Sequence, residues 1–515
     1  MSDNDHYAAR ILNALSTEPD RPVLWWRGDV ITAGELRTKI ESAGRAMLGY
    51  GVGAGATVAV LTESNSPDML AARYAANLLG AAVFHLRSTN AVTSRRHISE
   101  ESQLGMARET GCALIVTDGP NAERARGFVR RLDPAPRLAA FSGLGADIAD
   151  LSAEAGGDPV DWPPVDPEAL AIITYTSGST GRPKGICRSF RAWLHAVSTT
   201  VDMTDEPRML VTTPLSHTVG PMADAALSTG GMLFLHEDFQ PEAVLDAIAE
   251  HRITRVFWAA PQIYQVLDHP KLASADISSL NLILYGGTPA APDRLAQGLK
   301  VFGPVFVQTY GTTETWEIGT MSREDHLDSS LLGTSGRPSP GTRVVVRDPD
   351  TDDDLPVGEI GEICLQSPGM LNGYWNDPDL TARALRGGFF HTGDLGRFDE
   401  RGFIHLVDRL SHVIKYNGVK VYPNAVENAL LGHPDVAQAA VYGVVDEDSV
   451  EHVHAAIVPK AGSVVTPDAL REHVRASLPA EYVPQKITMR DELPFISSGK
   501  LDKQRLKAEA QERRG

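Results

Sequence analysis

Between residues 175 and 185 the chain carries Tyr175-Thr176-Ser177-Gly178-Ser179-Thr180-Gly181-Arg182-Pro183-Lys184-Gly185. The apolar run Ala169 to Tyr175 leads into this stretch and is typical of a buried strand. Glycines allow backbone N–H groups to approach an anion, while hydroxyl groups and a lysine add further donors. The stretch therefore predicts a phosphate-binding loop whose ligands are Thr176, Ser177, Gly178, Ser179, Thr180, Gly181 and Lys184. It is not a Walker A loop, because Pro183 and Gly185 stand where that motif has Gly and Ser or Thr.

On both sides of this loop, short apolar runs alternate with segments of helix length. Thr32 and Glu35 form a predicted capping box at the start of one helix, and Pro67 to Leu79 is a second predicted helix. Strands that alternate with helices predict parallel pairing. We therefore expect an α/β fold with doubly wound mixed or parallel sheets in a large N-terminal domain, residues 1–408. The predicted strands besides the one at Ala169 are Val23 to Arg27, Thr57 to Leu61, Ala81 to Leu86, Cys112 to Val116, Arg255 to Trp258, Leu282 to Leu284 and Val305 to Val307.

The pattern changes after about residue 400, where strands and helices no longer alternate regularly. The segment is long enough to form a domain of its own. We expect a smaller, mobile α+β domain over residues 409–515. The predicted elements after residue 400 are a hairpin strand at Gly402 to Val407, just before this domain, and within it a helix at Asn424 to Leu431, strands at Ala437 to Val445 and His452 to Val458, and a helix capped by Thr466.

The composition limits the classes of function. The chain has 515 residues with 48 basic and 66 acidic side chains, a formal net charge of −18. Such an acidic chain is a poor candidate for binding nucleic acid or a membrane surface. It has no apolar run long enough to span a membrane, its acidic N-terminus is unlike a signal peptide, and its three cysteines lack a C-x-x-C spacing. We expect no nucleic-acid partner, no membrane insertion and a cytoplasmic location.

Further motifs follow the loop in a fixed order. They are Gly286-Gly287-Thr288-Pro289, Tyr310-Gly311-Thr312-Thr313-Glu314, Thr392-Gly393-Asp394, Asp408-Arg409-Leu410 and Ser498-Gly499-Lys500. Together with the phosphate loop, this series resembles the adenylate-forming superfamily, which includes acyl-CoA and aryl-CoA synthetases, firefly luciferase and the adenylation domains of peptide synthetases. The resemblance covers essentially the whole chain.

The resemblance implies that the chain binds ATP and Mg²⁺. Tyr310 would stack on adenine, and it follows an apolar run, which places it at the carboxyl end of a strand where α/β sheets bind ligands. Glu314 would offer carboxylate oxygen to Mg²⁺, and Thr313 would bond the α-phosphate. The other nucleotide-binding positions implied are Gly286, Gly287, Thr288, Gly311 and Thr312.

Three further residues complete the implied adenylation site. Asp394, which we expect in a Gly-rich turn between Phe390 and Phe398, would accept hydrogen bonds from the ribose hydroxyls, and Arg409 would join it. Lys500 would bridge the substrate carboxylate and the α-phosphate. A small carboxylic acid would then attack the α-phosphorus of ATP, pyrophosphate would leave, and an acyl-adenylate would form.

In the family the C-terminal domain then rotates, so that a thiol can attack the activated carbonyl. The resemblance makes Ser411 the hinge, although the commonest residue there is Asp or Lys. Lys415, Asn417 and Gly418 would line the pantetheine tunnel, with Lys415 as a second catalytic lysine beside Lys500. CoA is the expected co-substrate.

The resemblance also indicates an acyl pocket with His217, Thr309 and Trp316 in its wall. Thr309 stands where many relatives have Gly, which predicts a shortened pocket for an aryl or short acid. His217 would either gate the carboxylate or pack under the phosphate loop. The flank Arg188-Ser189-Phe190-Arg191 departs from the family pattern, and the sequence alone offers no physical account of it.

Several functions compete at this stage. The leading one is an acid–CoA ligase, and a second delivers the acyl group to a carrier-protein phosphopantetheine. A third adenylates nitrite for diazotisation of an aryl amine, and a fourth is an inactive nucleotide-binding scaffold, against which the retention of Lys500, Glu314 and Asp394 argues. A zinc site at His452 and His454 has no obvious third ligand.

Overall fold

The structure, a computed structural model, describes residues 6–86, 98–153, 157–177, 183–200, 203, 205–448, 450–460, 462–494 and 501–512. The helices in chain order are α1 Tyr7–Thr17, α2 Ala33–Gly49, α3 Pro67–Leu78, α4 Glu100–Thr110, α5 Ala122–Val129, α6 Phe190–Thr199, α7 Val219–Ser228, α8 Pro241–His251, α9 Ala260–Leu267, α10 Pro292–Phe302, α11 Pro378–Ala384, α12 Pro423–Leu431, α13 Pro467–Arg475 and α14 Lys503–Glu512. The strands are β1 Pro22–Trp26, β2 Asp29–Thr32, β3 Thr57–Leu61, β4 Ala82–His85, β5 Leu114–Thr117, β6 Arg137–Ala140, β7 Ala149–Asp150, β8 Leu170–Ser177, β9 Pro183–Ser189, β10 Arg208–Val211, β11 Met232–Leu235, β12 Arg255–Trp258, β13 Leu282–Gly286, β14 Phe306–Thr312, β15 Trp316–Met321, β16 Arg337–Pro338, β17 Arg343–Arg347, β18 Gly361–Gln366, β19 Gly373–Tyr374, β20 Phe390–Phe398, β21 Ile404–Arg409, β22 Ile414–Tyr416, β23 Val419–Val421, β24 Val436–Val445, β25 Glu451–Pro459 and β26 Lys486–Met489.

Two large sheets organise the N-terminal part. One has nine strands in the order β16-β15-β14-β13-β12-β10-β11-β1-β2, and the other has eight in the order β19-β9-β8-β4-β3-β5-β6-β7. Their central strands pair in parallel, whereas β2 and β15 on the first sheet and β9 and β19 on the second pair antiparallel. The predicted α/β class with doubly wound mixed sheets is confirmed.

Residues from both sheets share one apolar core with the helices. Leu24 and Leu233 of the first sheet and Val58 of the second are fully buried in that core with Leu36 of α2 and Leu70 of α3. Helix α3 contributes Leu70 from a segment in which every residue except Asp68 is buried. Removing this apolar surface from water supplies about 25 cal/mol per Å², which makes the core the main source of stability in this part of the chain.

The local signals for helices are borne out by their caps. The Thr32 side chain accepts a hydrogen bond from the Glu35 amide at 3.3 Å, and Glu35 Oε2 accepts one from the Thr32 amide at 2.8 Å, so the predicted capping box is present. Thr466 caps α13 through the Ala469 amide, as predicted. Pro67 occupies the first helical position of α3, where its missing N–H costs nothing.

The chain divides into two compact units. Unit 1 is Met1–Arg343 with Gln366–Phe390, and unit 2 is Val344–Leu365 with His391–Gly515. The predicted domain limit after residue 408 falls inside unit 2, at the end of β21, and remains a prediction of where the mobile part begins. No helix in the described part of the chain is long and apolar enough to cross a membrane.

Unit 2 contains three sheets. A four-stranded sheet has the order β17-β18-β20-β21, β22 and β23 form a hairpin, and β24, β25 and β26 form a three-stranded sheet. Asn417 and Gly418 form the two-residue turn of the β22–β23 hairpin, with φ of 50° and 78°. A turn with positive φ at both positions strongly favours Asn-Gly, so this dipeptide has a structural reason of its own.

Candidate active site

The phosphate loop connects two antiparallel strands rather than a strand and a helix. Strand β8 enters it and β9 leaves it, with Thr176 directly opposite Lys184. The loop residues Gly178, Ser179, Thr180 and Gly181 lie outside the described residues. A Cβ on Gly185 would lie 2.9 Å from the Trp375 side chain and 3.1 Å from that of Ile173, so a larger residue would force β9 away from its neighbours. The hairpin therefore places a residue with a hydroxyl opposite a lysine at the end that leads into the loop.

The unexplained flank of the loop contains a buried arginine. Arg188 lies on β9, and its guanidinium donates to the carbonyl oxygens of Thr313 and, at 3.4 Å, of Gly369. Burial lowers the pKa of Arg188 to about 10, and the negative charge of Glu314 opposes that shift. Arg188 thus keeps a positive charge next to Glu314 while it ties together two loops of unit 1.

Glu314 itself is held by two contacts from one neighbouring segment. Its Oε1 accepts a hydrogen bond from the Tyr374 hydroxyl at 3.1 Å, and its carbonyl oxygen accepts one from the Leu371 amide at 2.7 Å. Burial, followed by the charge of Glu314, raises the pKa of Tyr374 well above its usual value, so the hydroxyl stays a donor. The carboxylate predicted to bind Mg²⁺ is therefore oriented by the fold.

The β14–β15 hairpin carries two other residues of the predicted motifs. Tyr310 lies on β14 and is buried, and Gly311 is paired with Glu317 of β15. A Cβ on Gly311 would overlap the carbonyl oxygen of Trp316. Trp316 has a φ of 66°, which is rare for a bulky residue. Gly311 is thus required by the close approach of two strands, whether or not it also contacts a nucleotide.

The motif at the end of β13 packs against β14 in the same way. A Cβ on Gly286 would overlap the carbonyl oxygen of Thr309 and contact its methyl group. Gly287 has a φ of 79°, a conformation that favours glycine. The hydroxyl of Thr288 is buried and has no hydrogen-bond partner among the described residues. Gly286 therefore adjoins Thr309.

Two of the predicted pocket residues are buried in unit 1. Thr309 is hydrogen-bonded to the Glu317 carboxyl, which the sequence did not single out. His217 is close to the phosphate hairpin, since its ring is bonded to the backbone of Tyr175 and its Nδ1 lies 3.0 Å from Ser216 Oγ. Burial lowers the pKa of His217 to about 4, so its imidazole is neutral at physiological pH.

In unit 2 the structure brings together the two residues predicted at the ribose. Arg409 Nε lies 2.6 Å from Asp394 Oδ1, because β20 and β21 are antiparallel neighbours with these residues opposite each other. The expected turn around Asp394 is wrong. Phe390–Phe398 is one continuous strand, and Gly393 lies within it with a φ of 70°, which glycine adopts without strain.

A buried network supports that strand. Glu362 Oε1 accepts the Gly393 amide at 2.9 Å, and Glu362 Oε2 lies 2.9 Å from His391 Nδ1. Cys364 Sγ lies 3.3 Å from the same His391 nitrogen. Glu362, Cys364 and His391 have metal-ligating atoms close together, but these atoms already serve one another and the Gly393 amide as partners. The network fixes the backbone beside Asp394.

The other predicted residues of unit 2 are spread over separate elements. Lys415 lies exposed on β22, and its amide donates to Glu451 Oε2 at 2.9 Å. Ser411 lies in a single helical turn, Leu410–His412, that follows β21. Lys500 lies outside the described residues. His452 pairs with Asp446 at 2.6 Å and His454 packs against Tyr442, and these two histidines belong to no metal-ligating group among the described residues.

Sequence reasoning missed Tyr374, Glu362, His391 and Glu317. One signal was available for Glu317, since it is the single charged residue within the apolar strand Trp316–Met321. The contacts of the other three join segments far apart in the chain. Cys112, Cys187 and Cys364 are all buried, and none of the three forms a disulfide bond.

Comparison with known proteins finds matches over most of the chain. The profile of AMP-binding enzymes matches residues 12–375, and that of the AMP-binding enzyme C-terminal domain matches residues 425–500. The chain is 31% identical to the medium/long-chain-fatty-acid–CoA ligase FadD8 of Mycobacterium tuberculosis, covering 98% of this chain and 90% of that protein. It is 34% identical to a feruloyl-CoA synthase of Amycolatopsis sp, covering 95% of each.

The chain is also similar to a solved structure. The amide bond synthetase McbA from Marinactinospora thermotolerans superimposes with a TM-score of 0.89 at 35% identity, covering 98% of this chain and 99% of that one. The order of the motifs along the sequence agrees with these matches. The chain belongs to the family of AMP-binding enzymes and is an AMP-forming ligase.

Proposed function

We propose that the chain activates a small carboxylic acid with ATP through an acyl-adenylate and then transfers the acyl group to CoA. The observation that carries this proposal is the fixed Glu314 carboxylate, which accepts a hydrogen bond from the Tyr374 hydroxyl while the Leu371 amide holds the Glu314 backbone carbonyl. A carboxylate held in this way beside a phosphate hairpin suits Mg²⁺-assisted transfer at a phosphate. The similarity to two acid–CoA ligases supports a carboxylic acid as the substrate and CoA as the acceptor.

The residues of unit 1 fit the binding of MgATP. Carboxylate oxygen is a ligand that Mg²⁺ prefers, and the hydroxyl of Tyr374 leaves further acceptor positions on Glu314. Bound there, the metal ion would neutralise charge on the phosphates. Lys184 and Thr176 would contact phosphate oxygens, Thr313 the α-phosphate and Tyr310 the adenine.

The residues of unit 2 would bind the sugar and assist both half-reactions. Asp394 would accept the ribose hydroxyls while Arg409 holds its carboxylate. Lys500 would stabilise the charge that develops on the α-phosphate during adenylation. Lys415, with the turn Asn417-Gly418, would then serve the thiol step, with Ser411 as the hinge.

The first test is the identity of the products. Incubation with ATP, Mg²⁺ and a panel of carboxylic acids should release AMP and pyrophosphate in equal amounts. The release of ADP and orthophosphate would contradict the proposal. The panel is run with CoA, with a holo-carrier protein, with a primary amine or with no acceptor, so the acceptor that increases turnover identifies the second half-reaction.

Lys500→Ala tests the role of the lysine. Loss of one donor to a developing oxyanion costs about 10² to 10³ in rate, so adenylate trapped as a hydroxamate should fall by that factor. Lys507→Ala is a matched control, because Lys507 has a weak contact of 3.8 Å with Glu451 and lies on α14, outside the proposed site. Near wild-type adenylate formation by Lys500→Ala would reject the role.

Thr309→Gly tests the shortened pocket. A change of one methyl-sized group in a pocket is worth about 1 to 3 kcal/mol, and Thr309→Gly removes the whole side chain, so preference should shift toward bulkier acids by about tenfold or more, with the KM for ATP unchanged. Thr309→Val is the matched control, since it removes the hydroxyl that bonds Glu317 and keeps the volume. An unchanged acid preference in Thr309→Gly would exclude Thr309 from the pocket.

A second acceptor class has its own support. The similarity to an amide bond synthetase at a TM-score of 0.89 favours an amine as an alternative nucleophile for the adenylate. An amine that increases turnover while CoA does not would replace the thioester step in the proposal. Transfer to a carrier protein and adenylation of nitrite are separated by the same panel when nitrite is added to it.

A further inference from the structure

Glu317 is a buried acid that neighbours Thr309 and Trp316, two residues proposed to line the acyl pocket. It lies on β15 and is 8% exposed. Its carboxyl is hydrogen-bonded to Thr309, the pocket residue on the neighbouring strand β14. Thr309 in turn packs its methyl group against Gly286 of β13. The carboxyl therefore adjoins the residue that would shorten the pocket.

No cation of the described chain compensates this carboxyl. Burial raises the pKa of Glu317 to about 7, and the hydrogen bond from Thr309 is the one interaction that opposes the shift. A carboxylate has about four acceptor positions, of which the Thr309 hydroxyl fills one. An acid buried in this way costs stability unless a donor from elsewhere satisfies it.

A second polar group of the proposed pocket residues also lacks a partner. The indole Nε1 of Trp316 is buried without a hydrogen-bond partner among the described residues. Trp316 precedes Glu317 directly and has a left-handed backbone with φ of 66°. Buried polar groups are almost always satisfied in folded proteins, so unsatisfied ones beside a ligand pocket point to a polar ligand.

We infer that Glu317 selects acids that carry a hydrogen-bond donor, an N–H, O–H or ammonium group, at the end of the molecule away from the reacting carboxylate. The inference rests on the proposed function, since it assumes that Thr309 and Trp316 line the acyl pocket. It names the substrate class within that function. A plain hydrocarbon acid would leave the Glu317 carboxyl buried without a partner, and such sites discriminate strongly against the analogue that lacks the donor.

Matched pairs of acids test the inference through steady-state pyrophosphate release. The pairs are para-hydroxycinnamate against para-methylcinnamate, indole carboxylate against benzothiophene carboxylate, and para-aminomethylbenzoate against para-ethylbenzoate. In each pair the shape is kept and the donor is removed. The wild type should show, in at least one pair, a kcat/KM ratio of about 100-fold or more in favour of the donor.

Two variants assign that ratio to Glu317. Glu317→Leu removes the acceptor and should reduce the ratio to less than about tenfold, mainly by raising kcat/KM for the acid without the donor, with the KM for ATP unchanged. Glu317→Gln keeps an acceptor oxygen without the charge, so it should retain preference for O–H and N–H donors and lose any preference for ammonium. This variant also covers the case in which Glu317→Leu does not fold.

The outcomes separate the inference from the proposed function. Wild-type ratios within about threefold in all pairs, or a large ratio that survives both substitutions, would overturn the role of Glu317 while acid activation stands. The absence of pyrophosphate release with every acid, in the wild type and in both variants, would overturn the proposed function and the inference with it.

Discussion

Three ionisable side chains of unit 1 are buried close to the proposed substrates. Burial is the largest influence on each, lowering the pKa of Arg188 to about 10 and that of His217 to about 4, and raising that of Glu317 to about 7. Arg188 keeps its charge at physiological pH and His217 is neutral, whereas Glu317 is poised between its two states. Glu317 is therefore the residue of these three whose protonation should change the free energy of unfolding near neutral pH.

Glu317→Gln should stabilise the protein in a manner that depends on pH. The folded pKa of about 7 lies above the unfolded value of about 4.3, so the wild type loses stability as pH rises through that window. One pKa unit corresponds to about 1.4 kcal/mol, so the loss is about 3 kcal/mol between pH 4.5 and 7. Urea unfolding at pH 4.5 and at pH 8 gives the free energy of unfolding of the variant and of the wild type. The difference in favour of the variant should be about 3 kcal/mol larger at pH 8 than at pH 4.5. A difference independent of pH would show that the buried carboxyl does not titrate in this way.

Tyr374→Phe should weaken the response to Mg²⁺ rather than the fold. The variant loses the 3.1 Å hydrogen bond to Glu314, and a bond to a charged group is worth about 1.5 to 3 kcal/mol. We expect the Mg²⁺ concentration for half-maximal pyrophosphate release to rise about tenfold or more at saturating ATP. Tyr264→Phe is the control, since that hydroxyl accepts the Ala291 amide elsewhere in unit 1. An equal Mg²⁺ response in both variants would separate Tyr374 from the metal.

At the scale of elements, the β14–β15 hairpin is the part most constrained by close backbone contact. Its register changes between Tyr310 and Gly311, and Trp316 at the turn has a positive φ. The strands approach so closely that a side chain does not fit at Gly311. The hairpin carries Tyr310, Thr309, Glu317 and Trp316, so its exact geometry determines both proposed binding regions.

Gly311→Ala should therefore be strongly destabilising. The added methyl group would overlap a backbone oxygen, which a side-chain rotation cannot relieve, and overpacking of this kind costs about 3 kcal/mol or more. Gly105→Ala is the matched control, because nothing lies within 4 Å of a Cβ there and the position is in α4. The control should be neutral or stabilising by up to about 1 kcal/mol. Thermal unfolding of the two variants compares them directly, and equal melting temperatures would contradict the steric argument.

At the scale of the whole molecule, the chain forms two compact units and passes from one to the other more than once. Residues 344–365 belong to unit 2, and residues 366–390 return to unit 1 before the chain enters unit 2 again. Asp408, at the end of β21, is buried and accepts the Asn424 amide of α12 at 2.7 Å. The proposed hinge at Ser411 therefore lies between two segments of unit 2 that a buried carboxylate already joins.

Ser411→Pro tests the hinge by separating the two half-reactions. Proline fixes φ near about −65° and removes an N–H, so a conformation that needs another φ is lost. We expect acyl-adenylate formation to remain and transfer to the acceptor to be lost. Ser411→Ala, which leaves φ free, should keep both activities. Equal loss of both half-reactions in Ser411→Pro, with the circular dichroism spectrum unchanged, would place the pivot elsewhere.

The sequence by itself determined the fold class, the family and the identity of most candidate residues. These rest on local patterns, such as the capping box at Thr32, the apolar strands and the glycine-rich motifs, which depend on residues close together in the chain. Only the tertiary structure decided how the candidates are held. Arg188 is 125 positions from Thr313, and Tyr374 is 60 positions from Glu314, so no local pattern links them. The same reason applies to Asp394, whose place within a strand depends on pairing with Arg409, and to Glu317, whose burial follows from packing of the sheet and not from its own neighbours in the sequence.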